Sequence, residues 1–292
     1  MSTTYETGST LGVLARQEIR NYLRHKLFWF GTALVLLLDV VMLFDLDNDP
    51  GSSGSYMIAP AALLGVLGLV VMFGLTRRSD RAAEAAGVVA VPERTRTLAL
   101  AAATVVPFSV ALGSFAVAVV VWYLHPPAGY VVPTGISSAF VHAEQFGDGV
   151  VCAVGGPILG LVLARYLPRR GVAAVASVLL VIATILLQGS LVGGEQPYRV
   201  FWVWTYFLTQ RSTDGVWHMG TLPGNPFIWV LYLVALCALG IVVAVRHDPD
   251  SDRVALTRVA LALSALVVVL GVLTMTVGFT EAATNPGVCG FC

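Results

Sequence analysis

The sequence predicts an all-α polytopic membrane protein: an N-terminal amphipathic interfacial helix, six core transmembrane helices and a seventh, with the N-terminus inside. Three observations predict it. The chain is 57% hydrophobic and only 12% charged, about half the charged share of an ordinary soluble domain. Its mean hydropathy is +0.81. Several apolar runs reach the roughly 20 helical residues needed to cross a hydrocarbon core about 30 Å thick. Alternating strands of about ten residues, the mark of a membrane barrel, are not found in the sequence.

Residues 1–10 are polar and are expected to be disordered. Over residues 11–27, Leu11, Ala15, Ile19, Tyr22, Leu23 and Leu27 share one helical face, and Arg16, Gln17, Arg20 and Arg24 lie mainly on the other. That pattern predicts a helix lying in the interface, its basic side chains among headgroups. The first span, 28–44, follows directly and carries Asp39. An intramembrane carboxylate is costly and faces protein or water. Both a hydrogen-bonded structural position near the outer interface and a place in a pathway or gate fit Asp39.

An acidic, breaker-rich turn (45–55) leads to the second span, 56–75. The loop 76–97 reads TRRSDRAAEAAGVVAVPERTRT, with Arg77, Arg78, Arg81, Arg94 and Arg96 against Asp80, Glu84 and Glu93. A helix over 79–89 is predicted: Ser79 suits an N-cap, Asp80 suits the first turn, and the alanines favour helix. Pro92 opposes continuation past Val91. Ala82, Ala86 and Val89 then share one face, and Asp80, Glu84 and Gly87 fall on another. A basic loop obeying the positive-inside rule and a docking helix for a protein partner both fit.

The third span, 98–124, contains Pro107, which should kink it. Residues 125–147 read as an irregular outer segment. The fourth span, 148–167, is short and holds Gly155, Gly156 and Pro157, a break that neighbours or water must satisfy. The fifth span is 171–192, with Gln188 near its outer end as a pathway or gating candidate. Within 193–226, the run YRVFWVWTYFL is too short to cross, and it predicts a re-entrant or interface-lying helix. The sixth span (227–245), an inner loop, the seventh span (259–279) and an outer tail (280–292) complete the chain.

Charge orients these spans. Of 17 basic residues, only Arg199 and Arg211 fall in segments placed outside. The positive-inside rule therefore puts the N-terminus in the cytoplasm and the C-terminus outside.

Chemistry is sparse. A P-loop needs a glycine-flanked lysine to reach the phosphates, and the single lysine is Lys26, after His25. His142, Glu144 and Asp148, with His218, offer imidazole and carboxylate for a metal, but their spacing matches no standard site and a solvated acidic segment is favoured. Cys289 and Cys292 have the C-x-x-C spacing of a redox pair, without the helix N-terminus that usually activates one. No serine–histidine or paired-aspartate arrangement suggests a protease. Nothing points to nucleic acid.

A basic amphipathic helix (LARQEIRNYLRHKLFWF) leading into span one, the loop RRSDRAAEAAGVVAVPERTRTLALAAA between spans two and three, and an aromatic outer segment before PFIWVLYLVALCALG together resemble the permease subunits of type-2 ABC exporters, particularly actinobacterial ones. The resemblance covers residues 11–245. It implies a bacterial plasma-membrane protein and a translocation pathway formed with a second permease chain, identical or not. Separate ABC ATPase subunits would bind ATP and magnesium, leaving this chain with no cofactor of its own. The family's coupling helix maps onto 79–89, giving Asp80, Arg81, Ala82, Glu84, Ala86 and Val89 as ATPase-contacting residues, and its re-entrant outer helices map onto 198–221. Six spans are usual there, so the seventh span and the C-x-x-C tail depart from the pattern. The expected function is outward transport of a lipid, peptide, antibiotic or similar amphiphile. The alternative is an extracytoplasmic thiol oxidoreductase using Cys289 and Cys292.

Overall fold

A computed structural model describes residues 3–44, 57–87, 91–124, 130–131, 137–191, 208–211, 217–220 and 225–277. The chain folds as an all-α polytopic membrane protein, with helices α1 (Thr3–Leu23), α2 (Lys26–Phe44), α3 (Ile58–Ala86), α4 (Glu93–Leu124), α5 (Ser138–Tyr166), α6 (Val172–Leu191), α7 (Pro226–Arg246) and α8 (Arg253–Thr276). Among the described residues, six helices (α2 to α5, α7 and α8) are long and apolar enough to span a membrane. Helix α6 adds a 20-residue apolar helix in the position expected for the fifth span.

The amphipathic helix starts earlier and stops sooner than expected. It begins at Thr3, within the segment expected to be disordered, and ends at Leu23, so Leu27 belongs to α2. The Trp29 indole N–H donates to the Leu23 carbonyl at 2.6 Å, satisfying one of the acceptors left open at a helix C-terminus. Tyr22 is fully buried, and its hydroxyl would lie 2.8 Å from a Cβ at Gly68. The helix is therefore docked into the bundle through Tyr22.

Helix α3 corrects the expectation of a separate helix at 79–89. It runs unbroken through a π-helical stretch, Ala61–Gly65, and on through Ser79 to Ala86. Twenty-nine residues rise about 43 Å, well beyond a bilayer core, so its last turns project past the apolar layer. It ends at Gly87, whose φ of +58° lies in the region open to glycine. Helix α4 begins after Pro92 and is interrupted at Ala103–Thr104. Pro107 accounts for the interruption, because it lacks the N–H that would bond the Ala103 carbonyl.

Helix α5 differs most from expectation. Ser137 caps it by accepting the Phe140 N–H at 3.2 Å, so residues 138–147, read as irregular, are the start of a long helix. It passes through a π-helical stretch, Phe146–Val151, and continues through Pro157 without stopping. Gly155-Gly156-Pro157 is a packing surface, not a break. A Cβ on Gly156 would collide with the Gly65 carbonyl, and one on Gly160 with the Leu69 carbonyl. The Gly156-x-x-x-Gly160 spacing lets α3 and α5 approach backbone to backbone, as small residues do at membrane helix interfaces.

The α3–α5 pair is the centre of the bundle. Helix α7 packs on α5 and carries α8, while α4 contacts α1 and α2. Helix α8 is almost entirely exposed. Strands β1 (Tyr130–Val131), β2 (Leu208–Arg211) and β3 (Trp217–Gly220) form a small sheet in the order β1-β3-β2. β1 pairs parallel with β3, and β2 antiparallel. This corrects the helical reading of 198–221 for its described residues, which form a hairpin. Residues 198–207, including the aromatic run up to Phe207, lie outside the described residues.

Candidate functional site

At the end of the bundle where α3 projects, four chain segments meet through charge. Asp80 on α3 accepts from Arg165 Nη1 at the end of α5 (2.5 Å) and from Arg96 Nη1 on α4 (2.9 Å). Arg165 also lies 3.7 Å from Glu93 at the start of α4. Glu93 in turn contacts His247 Nδ1 after α7, at 2.7 Å. Asp248, buried, accepts the Arg94 backbone N–H at 2.7 Å. Arg96 further binds the Ser79 and Val91 carbonyls (3.1 and 3.2 Å), closing the α3–α4 loop.

Arg165 is the hub. Its side chain is 1% exposed, and a buried guanidinium is tolerable only when carboxylates and acceptors replace its water. Asp80 accepts a hydrogen bond from Nη1, and Glu93 adds a second carboxylate 3.7 Å from Nε; among the described residues Nε and Nη2 have no hydrogen-bond acceptor. Because α3, α4, α5 and the α7–α8 turn share these contacts, a displacement of one at this end loads the others. Tyr166 strengthens the link by donating its hydroxyl to the Val243 carbonyl at 3.0 Å.

The residues mapped as partner contacts divide here. Asp80 is 30% exposed and turned into the charge cluster. Arg81, Ala82, Glu84 and Ala86 are exposed on the projecting turns. Val89 lies outside the described residues. Arg165 carries no expected site role from the sequence and counts there only among the basic residues placed inside. An arginine two residues before the end of the expected span 148–167, with the acids Asp80, Glu84 and Glu93 in the loop 76–97, was the available signal for its pairing.

Toward the opposite end, Asp39 on α2 accepts from the Ser114 hydroxyl on α4 at 2.7 Å. Asp39 is half-buried there, and the bond is compatible with both of its expected roles. Further polar groups sit on α5. Glu144, Gln145 and Asp148 are each 1% exposed, which overturns the solvated acidic segment. The long α5 places them inside the bundle, and the π-helical stretch carries Asp148 inward. His142 contacts Gln145 Oε1 at 3.0 Å and stacks edgewise on Phe115 and Trp122. Among the described residues, no group of three histidines, cysteines or acids is placed to hold a metal.

Between these ends an apolar cleft of about 390 Å³ opens beside α5, α6 and α7. Gly155, Gly156 and Gly240 leave room for it, and Leu233, Leu236 and Val162 line it. Cys152 and Cys237 also line it. Gln188 falls on α6, with its side chain outside the described residues. Cys289 and Cys292 also lie outside them. No protein-family model, curated protein or solved structure matches this chain.

Proposed function

We propose that this chain is the permease subunit of an ATP-driven ABC exporter, moving a lipid, peptide, antibiotic or similar amphiphile across a bacterial plasma membrane. The observation that carries the reading is the projecting end of α3, exposed at its tip and tied by Asp80 to Arg165 and Arg96 at its base. A push on the tip is passed to α4, α5 and the α7–α8 turn through short, partly buried ion pairs. A transport subunit driven by a separate motor needs such a connection. ATP and magnesium would bind to partner ATPase subunits, and a second permease chain would complete the pathway. Net work on cargo comes from the difference in its affinity for the two bundle arrangements. The apolar cleft along α5 suits the hydrocarbon part of an amphiphile better than a hydrated ion. In the orientation set by charge, the α3 tip and the N-terminus are cytoplasmic.

Ala86→Asp tests the reading. The site is exposed and beyond the bundle, so insertion and folding should survive. A charge pressed into a partner groove without a counter-ion costs on the order of several kcal/mol. The expected result is loss of ATPase co-purification and of cargo-stimulated ATP hydrolysis, with both retained by Ser251→Asp in the next loop. Equal association and turnover in wild type and both variants would remove the tip as the docking point.

A further inference from the structure

Beside the charge cluster, and separate from it, α1 and α3 enclose a polar groove of about 760 Å³. Arg24 and His25 line it from the turn between α1 and α2, and Arg78 and Arg81 from the projecting part of α3. Gly74 and Leu75 form its floor on the apolar side. We infer that this groove binds the phosphate headgroup of an anionic phospholipid, with Arg24, Arg78 and Arg81 as its anion-binding residues and Gly74 as the seat for the first part of the lipid's apolar body.

Four observations carry it. The first is charge. Arg78 and Arg81 lie one helical turn apart on one face of α3, whereas Asp80 points to the other side and is consumed by Arg96 and Arg165. Among the described residues, Arg24, Arg78 and Arg81 form no ion pair with an acid of this chain. Glu18 reaches the lining only through the Asn21 amide, which it holds at 3.0 Å. Exposed Glu84 lies one turn past Arg81, outside the lining. Three guanidinium groups facing one cavity repel one another unless an anion joins them, and planar guanidinium donors match phosphate oxygens well.

The second observation is His25. Burial holds its imidazole below the usual range, and its Nδ1 accepts the Leu27 N–H at 3.3 Å. Both features favour the neutral imidazole, and the arginines supply the charge. The third is depth. The groove lies where α2 enters its apolar stretch after Lys26 and where α3 changes from apolar residues to Arg77 and Arg78. That is headgroup level, where basic side chains attract anionic lipids. The fourth is the floor. A Cβ on Gly74 would meet nothing within 4 Å, so there is open space next to Leu75 at the membrane side. A free anion would not need that space, whereas a glycerol backbone and the start of an acyl chain would.

The test is native mass spectrometry of the full chain in neutral detergent, titrated with phosphatidylglycerol or with phosphatidylcholine. Wild type should retain phosphatidylglycerol well in preference to phosphatidylcholine. Arg78→Gln with Arg81→Gln should weaken retention about 30-fold, the equivalent of ~2 kcal/mol for two interfacial arginines. The paired control Arg169→Gln with Arg170→Gln removes the same charge from exposed positions away from the groove and should leave retention unchanged. Gly74→Leu puts a side chain into the open space where a Cβ meets nothing within 4 Å, and should also lower lipid retention. Inorganic phosphate at tens of millimolar should fail to displace the lipid. Equal retention by the groove variant and the control would overturn the inference, as would equal binding of the two lipids. Displacement by phosphate with no effect of Gly74→Leu would make it a simple anion site and overturn the lipid assignment. Loss of a co-purifying protein from the groove variant at unchanged lipid retention would assign the groove to that protein instead. None of these readouts requires an ATPase, so the inference and the transport reading fail independently.

Discussion

Replacing Arg165 is the most direct probe of the linked helix end. Arg165→Met keeps the length and apolar stem of the side chain and deletes its charge. Removing one partner of a buried pair costs about 3–5 kcal/mol when the other is left uncompensated. Here compensation is partial. Asp80 keeps Arg96 at 2.9 Å and is 30% exposed, and Glu93 keeps His247 at 2.7 Å. The expected loss for Arg165→Met is therefore nearer 2–3 kcal/mol. Asp80→Asn should cost about 3 kcal/mol, because Arg165 is then left covered with only Glu93, at 3.7 Å. If the two side chains act as one unit, the double variant costs less than the sum by roughly 1.5–2.5 kcal/mol. Unfolding by SDS in mixed micelles, followed by tryptophan fluorescence, reads all four proteins. Additivity to within about 0.5 kcal/mol would refute the idea that this pair joins α3 to α5.

Three further outcomes are expected. Gly160→Ala should destabilise by about 1–3 kcal/mol in the same assay, because its methyl group must displace the Leu69 backbone, whereas Gly113→Ala, with open space around it, should be neutral or stabilising. Asp39→Asn should fold normally, since the amide oxygen still accepts from Ser114, while Ser114→Ala should cost about 1–2 kcal/mol by stripping the carboxyl of its donor; selective loss of transport by Asp39→Asn at normal expression would instead place Asp39 in the pathway. With Cys289 and Cys292 replaced, cysteines at Ser53 or Thr213 should react with an impermeant thiol reagent on intact cells and those at Ser79 or Asp250 should not, and reaction at Ser79 would reverse the orientation.

That the chain carries several long apolar helices was legible because length and hydropathy act locally: each apolar run carries its own signal whatever it packs against. Helix ends were less legible. Ser79 resembles an N-cap, yet α3 runs through it, because Arg96 binding the Ser79 carbonyl and Asp80 pairing with Arg165 reward a continuous helix. Those partners lie 17 and 85 residues away, beyond any local pattern. Pro157 misled for a related reason. A proline flanked by glycines reads as a break, but the same glycines let α3 pack close enough to hold the helix on course. The buried acids of α5 were hidden by composition, since FGDG resembles a loop until the helix on either side is known. Asp39 was the exception: one carboxylate in an apolar run implies a partner, and Ser114 provides it.

The pairing of α3 with α5 also sets an order on biogenesis. The two helices that form the centre of the bundle are not consecutive, because α4 separates them in the chain. When α3 and α4 have left the ribosome, the Gly65–Leu69 surface faces lipid and Asp80 lacks the arginine that covers it best. Both are completed only when α5 has emerged through its last turn, since Arg165 lies one residue before that helix ends. A nascent chain stopped before that point should be a loose set of inserted helices, open to quality-control proteases. A chain that passes it gains the close backbone packing and the ion pair together. The close packing and the ion pair thus become available together, once Arg165 has emerged and before the last three helices follow.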